Sequence, residues 1–117
     1  MIMKYQIYQI KDTRNTIYSF IGWSDATEKD FSMKDYKLVY SGEIEPNGCL
    51  DKLFEIFNIN HPGDYTGRSM SVSDVIATRD DRDDEKNNWK WYYCDSFGWE
   101  NITDVINRKE IINGNLI

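Results

Sequence analysis

Residues 36–58 read YKLVYSGEIEPNGCLDKLFEIFN, and two periodicities meet inside them. Over 36–44, Tyr36, Leu38 and Tyr40 alternate with Lys37, Val39 and Ser41, the two-residue repeat of a strand. The turn residues EPNG at 45–48 stop that repeat. From Cys49 onward Leu50, Leu53, Phe54 and Phe57 recur at intervals of three and four, with Asp51 and Glu55 opposite, so 49–58 is an amphipathic helix. Asn58 to Asn60 and then His61-Pro62 end it, because a residue before proline avoids the α region. A strand that turns directly into a helix with a Leu/Phe face predicts a helix packed on a sheet.

Working outward, KYQIYQIK at 4–11 sets Tyr5, Ile7 and Gln9 on one face and Gln6, Tyr8 and Ile10 on the other. Both faces are substantially apolar, the mark of an inner strand. Residues 12–35 predict a short extended piece around Ile17–Trp23, then an irregular or helical excursion through SDATEKDFSMKD. Downstream, Val72, Val75, Ile76 and Ala77 form an apolar segment, RDDRDDEKNN at 79–88 interrupts it, and WKWYYC resumes in alternation, which reads as a long-looped hairpin. A second helix is expected over Ile102–Ile112, followed by a tail, NGNLI, that frays. The expected fold is a single α+β domain over 1–117, a mainly antiparallel sheet of about four strands with one or two packed helices.

Composition agrees with one core. At 117 residues, with 40% apolar and 15% aromatic side chains, a second core would be starved of apolar surface. Twenty acids against fourteen bases give a net charge of −6, which argues against a direct nucleic-acid partner, since neutralising phosphates needs surplus Lys and Arg. The acidity leans toward the second half: nine acids and seven bases over 1–60, eleven and seven over 61–117. Cys49 and Cys94 stand forty-five residues apart with no CxxC pair, so buried reduced thiols are expected rather than a disulfide or zinc site. No metal or cofactor is expected. Without a signal-peptide core or an apolar run of ~18 residues, the expectation is a cytoplasmic protein with no membrane partner.

Three stretches carry candidate chemistry. In HPGDYTGRSMSVSDVI at 61–76, Gly67-Arg68-Ser69-Met70-Ser71 approaches a G-x-S-x-G nucleophile elbow, but Ser71 replaces the second glycine. A hydrolase using Ser69 or Ser73 with His61 and Asp74 remains an alternative, since triads are defined by geometry. The reading that accounts for more residues is a pinned loop. Pro62-Gly63-Asp64 is turn chemistry, Gly67 suits positive φ, and Ser69, Ser71 and Ser73 bond local backbone with Asp64 or Asp74. Arg68 either pairs internally or takes an anion, and an acidic protein favours the internal pair.

The run Arg79–Lys86 contains five acids and three bases but lacks the glycine and distal Glu of a calcium loop. Asp80, Asp81, Asp83 and Asp84 are therefore candidates for docking on a basic protein surface. WKWYYCDSFGW at 89–99 holds six aromatics in eleven residues. Trp89, Trp91 and Tyr93 share one strand face, Lys90, Tyr92 and Cys94 the other, so one set enters the core and the other forms surface. Trp89, Trp91 and Trp99 join the partner-binding candidates.

Taken together, IYQIKDT (7–13), DYKLVYSGEI (35–44), LFEIFNINHPGDYTGRSMSVSDVI (53–76) and YYCDSFGW (92–99) resemble the YodL-like domain of Firmicutes and their mobile elements. The resemblance covers most of the chain in the family's order. It implies that His61, Pro62, Asp64, Gly67, Ser69, Ser71, Ser73 and Asp74 are the family's shared stretch and shape a helix-to-strand connection. Such domains occur beside antirestriction and conjugation modules, and one relative is implicated in interference with actin-like cell-shape proteins. The implied role is binding rather than catalysis: an inhibitor from a phage or mobile element that blocks a host protein, foremost a nuclease of a restriction or CRISPR system. Interference with the actin-like cytoskeleton is the alternative.

Overall fold

The computed structural model describes residues 2–80, 88–112 and 115–116. Among these, five strands form one sheet: β1 (Met3–Ile10), β2 (Tyr36–Ile44), β3 (Val75–Asp80), β4 (Lys90–Cys94) and β5 (Trp99–Asn101). Their order is β2-β1-β3-β4-β5 and every neighbouring pair is antiparallel. The α+β expectation therefore holds with one strand more than anticipated. β1 is an inner strand, as its two apolar faces require, and β2 occupies the expected 36–44.

Both faces of this sheet are covered. On one face α2 (Cys49–Ile59) lays Leu53 and Phe57, fully buried, against Tyr5, Ile7, Ile76, Tyr65 and Met70. Each such side chain contributes about 1.5–3 kcal/mol by leaving water. The other face packs Ile10, Tyr36, Val75, Ala77, Trp91 and Tyr93 beneath Tyr18, Phe31, Met33, Ile102, Val105 and Ile106. The covering elements there are α1 (Asp25–Asp30), the short turn of helix Met33–Asp35, and α3 (Thr103–Lys109). Ser24 caps α1 through its hydroxyl on the Thr27 N–H (3.2 Å), and Lys109 reaches across to the far end, donating to the Glu28 and Phe31 carbonyls at 2.7 and 2.8 Å.

Three expectations need correction. Ile17–Trp23 is not extended: Asp12 accepts from the Asn15 N–H and its carbonyl from the Thr16 N–H, and turns follow at Ser19 and Ile21. Those local side-chain-to-backbone bonds outcompete the β preference of Ile17 and Tyr18. The final helix ends at Lys109, and Ile111–Ile112 pair antiparallel with Asn115–Leu116, consistent with the β preference of adjacent branched residues. Trp99–Asn101 adds a strand after the aromatic run, where no alternation was long enough to read.

The outer strand β2 is irregular. Ile7 lies opposite Tyr40 and Tyr8 opposite Leu38, so Val39 has no partner on β1 and the ladder bulges.

Candidate functional site

The 61–74 stretch closes onto β1. Asp74, wholly buried at the foot of β3, accepts at Oδ2 from Gln9 Nε2 (3.0 Å) and the Ser71 N–H (2.9 Å), while the Arg68 guanidinium meets Oδ1 at 3.4 Å. Gln9 also donates to the Arg68 carbonyl at 3.0 Å and accepts from the Arg68 N–H at 3.3 Å, and the Tyr65 hydroxyl donates to that same carbonyl. Burial pushes the Asp74 carboxyl up to about 6, although the bonds from Ser71 and Gln9 and the charge of Arg68 pull the other way. Arg68 thus takes the internal pair, and its guanidinium carbon sits 5.5 Å from the centre of the Phe20 ring.

Ser73 is the hinge of the connection. It is sealed from solvent at φ 83°, a left-handed conformation that costs a non-glycine residue, and every polar group is used. Its N–H donates to the Cys94 carbonyl (2.9 Å), its carbonyl accepts from the Tyr36 hydroxyl (2.6 Å), and its Oγ accepts from the Phe20 N–H (3.0 Å). Gly67, expected at positive φ, is needed for a different reason: a Cβ there would lie 2.5 Å from the Tyr65 hydroxyl and 2.9 Å from Gln9 Oε1. Pro62 closes a turn by accepting from the Tyr65 N–H, Asp64 accepts from the Tyr40 hydroxyl, and the Ser69 carbonyl accepts from Ser71 Oγ.

Among the described residues no hydrogen bond joins His61 to Ser69, Ser73 or Asp74. His61 is exposed, with Nδ1 3.1 Å from the Pro62 carbonyl and its ring 5.5 Å from Tyr65, whereas Ser73 is buried and holds Phe20. The pinned-loop reading accounts for these residues. It missed Gln9 and Tyr36, which bind the loop from outside, and Tyr65, which braces it from within. The available signal was Gln9 itself, a polar side chain in register with Tyr5 and Ile7 on a strand face that is otherwise core.

The aromatic run divides differently from expectation. Trp91 is only 5% exposed and Tyr93 is sealed, so Trp91 is a core residue and not a surface anchor. The opposite set is also largely inward, with Cys94 buried and Tyr92 half-buried, because the second face of the sheet is covered as well. Trp89 is half-buried against the core with the Arg79 guanidinium 5.9 Å from its ring. Of the acidic candidates, Asp80 ends β3 opposite Met3, while Asp81, Asp83 and Asp84 lie outside the described residues.

What does reach solvent is the turn joining β4 to β5. The Asp95 N–H donates to the Gly98 carbonyl at 2.9 Å, Gly98 takes φ 86°, and Asp95 Oδ1 accepts from the Ser96 N–H (2.8 Å) and the Trp23 N–H (3.1 Å). A left-handed glycine closing such a turn is a frequent hairpin solution. The turn thrusts Phe97 outward, 99% exposed. Beside it Trp99 meets Phe54 of α2 edge-to-face at 6.4 Å, with Phe54 itself 39% exposed. Two open clefts of about 290 and 220 Å³ flank Trp99, and Asp51 borders both. Trp99 was anticipated as an anchor; Phe97 and Phe54 were not, since an isolated Phe in sequence does not reveal which side of a turn it takes.

Burial raises both thiols above their ordinary range, Cys94 to about 12, so neither is an activated nucleophile. Among the described residues no cluster of three His, Cys, Asp or Glu is placed to hold a metal, and no helix is long and apolar enough to cross a membrane. No curated protein and no solved structure matches the chain. The family model for the YodL-like domain matches residues 4–105, a span that includes both the pinned loop and the Phe97 turn, and the chain therefore belongs to the YodL-like domain family.

Proposed function

We propose that this protein is a non-enzymatic inhibitor, carried by a phage or other mobile element, that docks on a basic host protein, foremost a nuclease of a restriction or CRISPR system. The observation that carries the reading is Phe97, fully presented on a turn fixed by Asp95 and Gly98 and adjoining the half-buried Trp99. An exposed phenyl ring on a fixed backbone gives up little conformational freedom on association, and its burial is worth about 1.5–3 kcal/mol. Acidic Asp51, Asp95 and Glu100 lie on or beside the same region, within a chain of net charge −6. That combination suits a Lys/Arg-rich nucleic-acid groove, which acidic charge would steer toward and aromatic anchors would hold.

The test is DNA cleavage by purified restriction and CRISPR nucleases with stoichiometric amounts of this protein. Inhibition that Phe97→Ala and Trp99→Ala together abolish is the expected result. Full cleavage by every nuclease, or inhibition indifferent to the double variant, overturns the proposal. Neutralising Asp80, Asp81, Asp83 and Asp84 together is expected to slow association with the nuclease, read by surface plasmon resonance at low salt.

A further inference from the structure

We infer that the cleft between Trp99 and the Asp95 turn is an arginine receptor, taking one guanidinium group from a loop of the partner. The inference rests on the protein-binding reading above and specifies what that surface recognises. At about 220 Å³ the cleft is smaller than the roughly 300–1,000 Å³ of typical small-molecule sites, and its scale is that of a single side chain. Its walls are Asp51, Phe54, Cys94, Asp95, Ser96, Gly98 and Trp99, with the Asp51 carboxylate, two aromatic rings and no Lys or Arg.

Charge sets the occupant. A carboxylate, Asp51, beside aromatic rings favours a cation, which gains from both the ring quadrupoles and direct ion pairing. Asp95 shapes the turn, its Oδ1 committed to the Trp23 and Ser96 N–H groups. Asp51 is exposed and makes no ion pair or side-chain hydrogen bond among the described residues. A planar guanidinium can stack on an indole while its fork of donors reaches separate acceptors, which a lysine ammonium does less well. Gly98 contributes no side chain, and a Cβ built there would meet nothing within 4 Å, so the cleft stays open on that wall.

The experiment titrates the intact protein with the peptide acetyl-Gly-Arg-Gly-Arg-Gly-amide, and with analogues carrying lysine or citrulline, following the indole N–H resonance of Trp99 by NMR. The Trp99→Phe spectrum assigns that resonance. The expected result is a saturating shift with the arginine peptide, weaker binding with lysine and none with citrulline. Asp51→Asn should weaken the arginine peptide about threefold, while Glu43→Gln on the opposite edge strand should leave it unchanged. Equal shifts with citrulline, or equal weakening by Asp51→Asn and Glu43→Gln, overturn the inference, because the attraction would then be nonspecific or diffuse. If the peptide fails while nuclease inhibition still depends on Phe97, the arginine receptor falls and the inhibitor reading stands. If the peptide binds as expected while no nuclease is inhibited, the receptor stands and the nuclease falls.

Discussion

The Asp74 network and the Phe97 turn are built from similar parts, an aspartate, a glycine and neighbouring aromatics, yet they face opposite ways. Around Asp74 the donors of Gln9, Ser71 and Arg68 converge on a carboxylate without solvent contact. Around Asp95 one carboxylate oxygen fixes the turn and Phe97 stands in water. Buried and satisfied, such residues specify a chain path; exposed on a fixed turn, they are available to a partner. The difference between the regions should appear as a steep gradient in mutational cost.

The largest effect is expected at Asp74. Asp74→Leu strands the Gln9 amide, the Ser71 N–H and the Arg68 charge in the interior, and should cost about 3 kcal/mol or more in urea unfolding at pH 7. A comparable term follows from titration. The folded Asp74 carboxyl is raised to about 6 from an ordinary 3.8, so the folded state favours its protonated form. Its contribution is fully present below pH ~4 and is lost as pH rises through about 6, a change of order 3 kcal/mol from this group alone. The stability difference between the protein and its Asp74→Asn variant, measured from pH 4 to pH 7, should carry that slope. A flat difference would mean that the carboxyl is not shifted.

Gly67→Ala comes next, at about 2 kcal/mol, since its methyl must displace the Tyr65 hydroxyl and Gln9 Oε1. Gly98→Ala should cost about 1 kcal/mol for the left-handed backbone alone, because its Cβ would meet nothing within 4 Å. Phe97→Ala is smallest, within about 0.5 kcal/mol, as its ring buries almost nothing. A large loss of stability at Phe97, or indifference at Asp74, would break the contrast; thermal melts of the set in one buffer decide it.

Much of the architecture was legible because periodicity is local. The switch from alternation at Tyr36–Ile44 to three-and-four spacing at Cys49–Ile59 is visible residue by residue. Both apolar faces of β1 announced an inner strand. The Trp91 misreading had a nonlocal cause: six aromatics look excessive for one buried face, but this sheet has two. The pinned loop was legible in its turn residues, whereas its anchor, Gln9, lies fifty-nine positions from Arg68 and only the pairing of β1 with β3 brings them together. Phe97 was hidden in the same way, since its direction is decided by Gly98 and by the bond from Trp23 to Asp95.

The bulge at Val39 bears on self-association. β2 is nine residues long and lies at the margin of the sheet, the kind of strand that invites another chain to add a strand and seed fibrils. With Val39 unmatched, the strand is divided into a three-residue piece, Tyr36–Leu38, and a five-residue piece, Tyr40–Ile44, whose ladders do not run on in one register. A copied or invading strand would have to reproduce that dislocation to pair along the full length. The irregularity thus acts as a guard against templated aggregation in a protein that also presents an exposed aromatic turn.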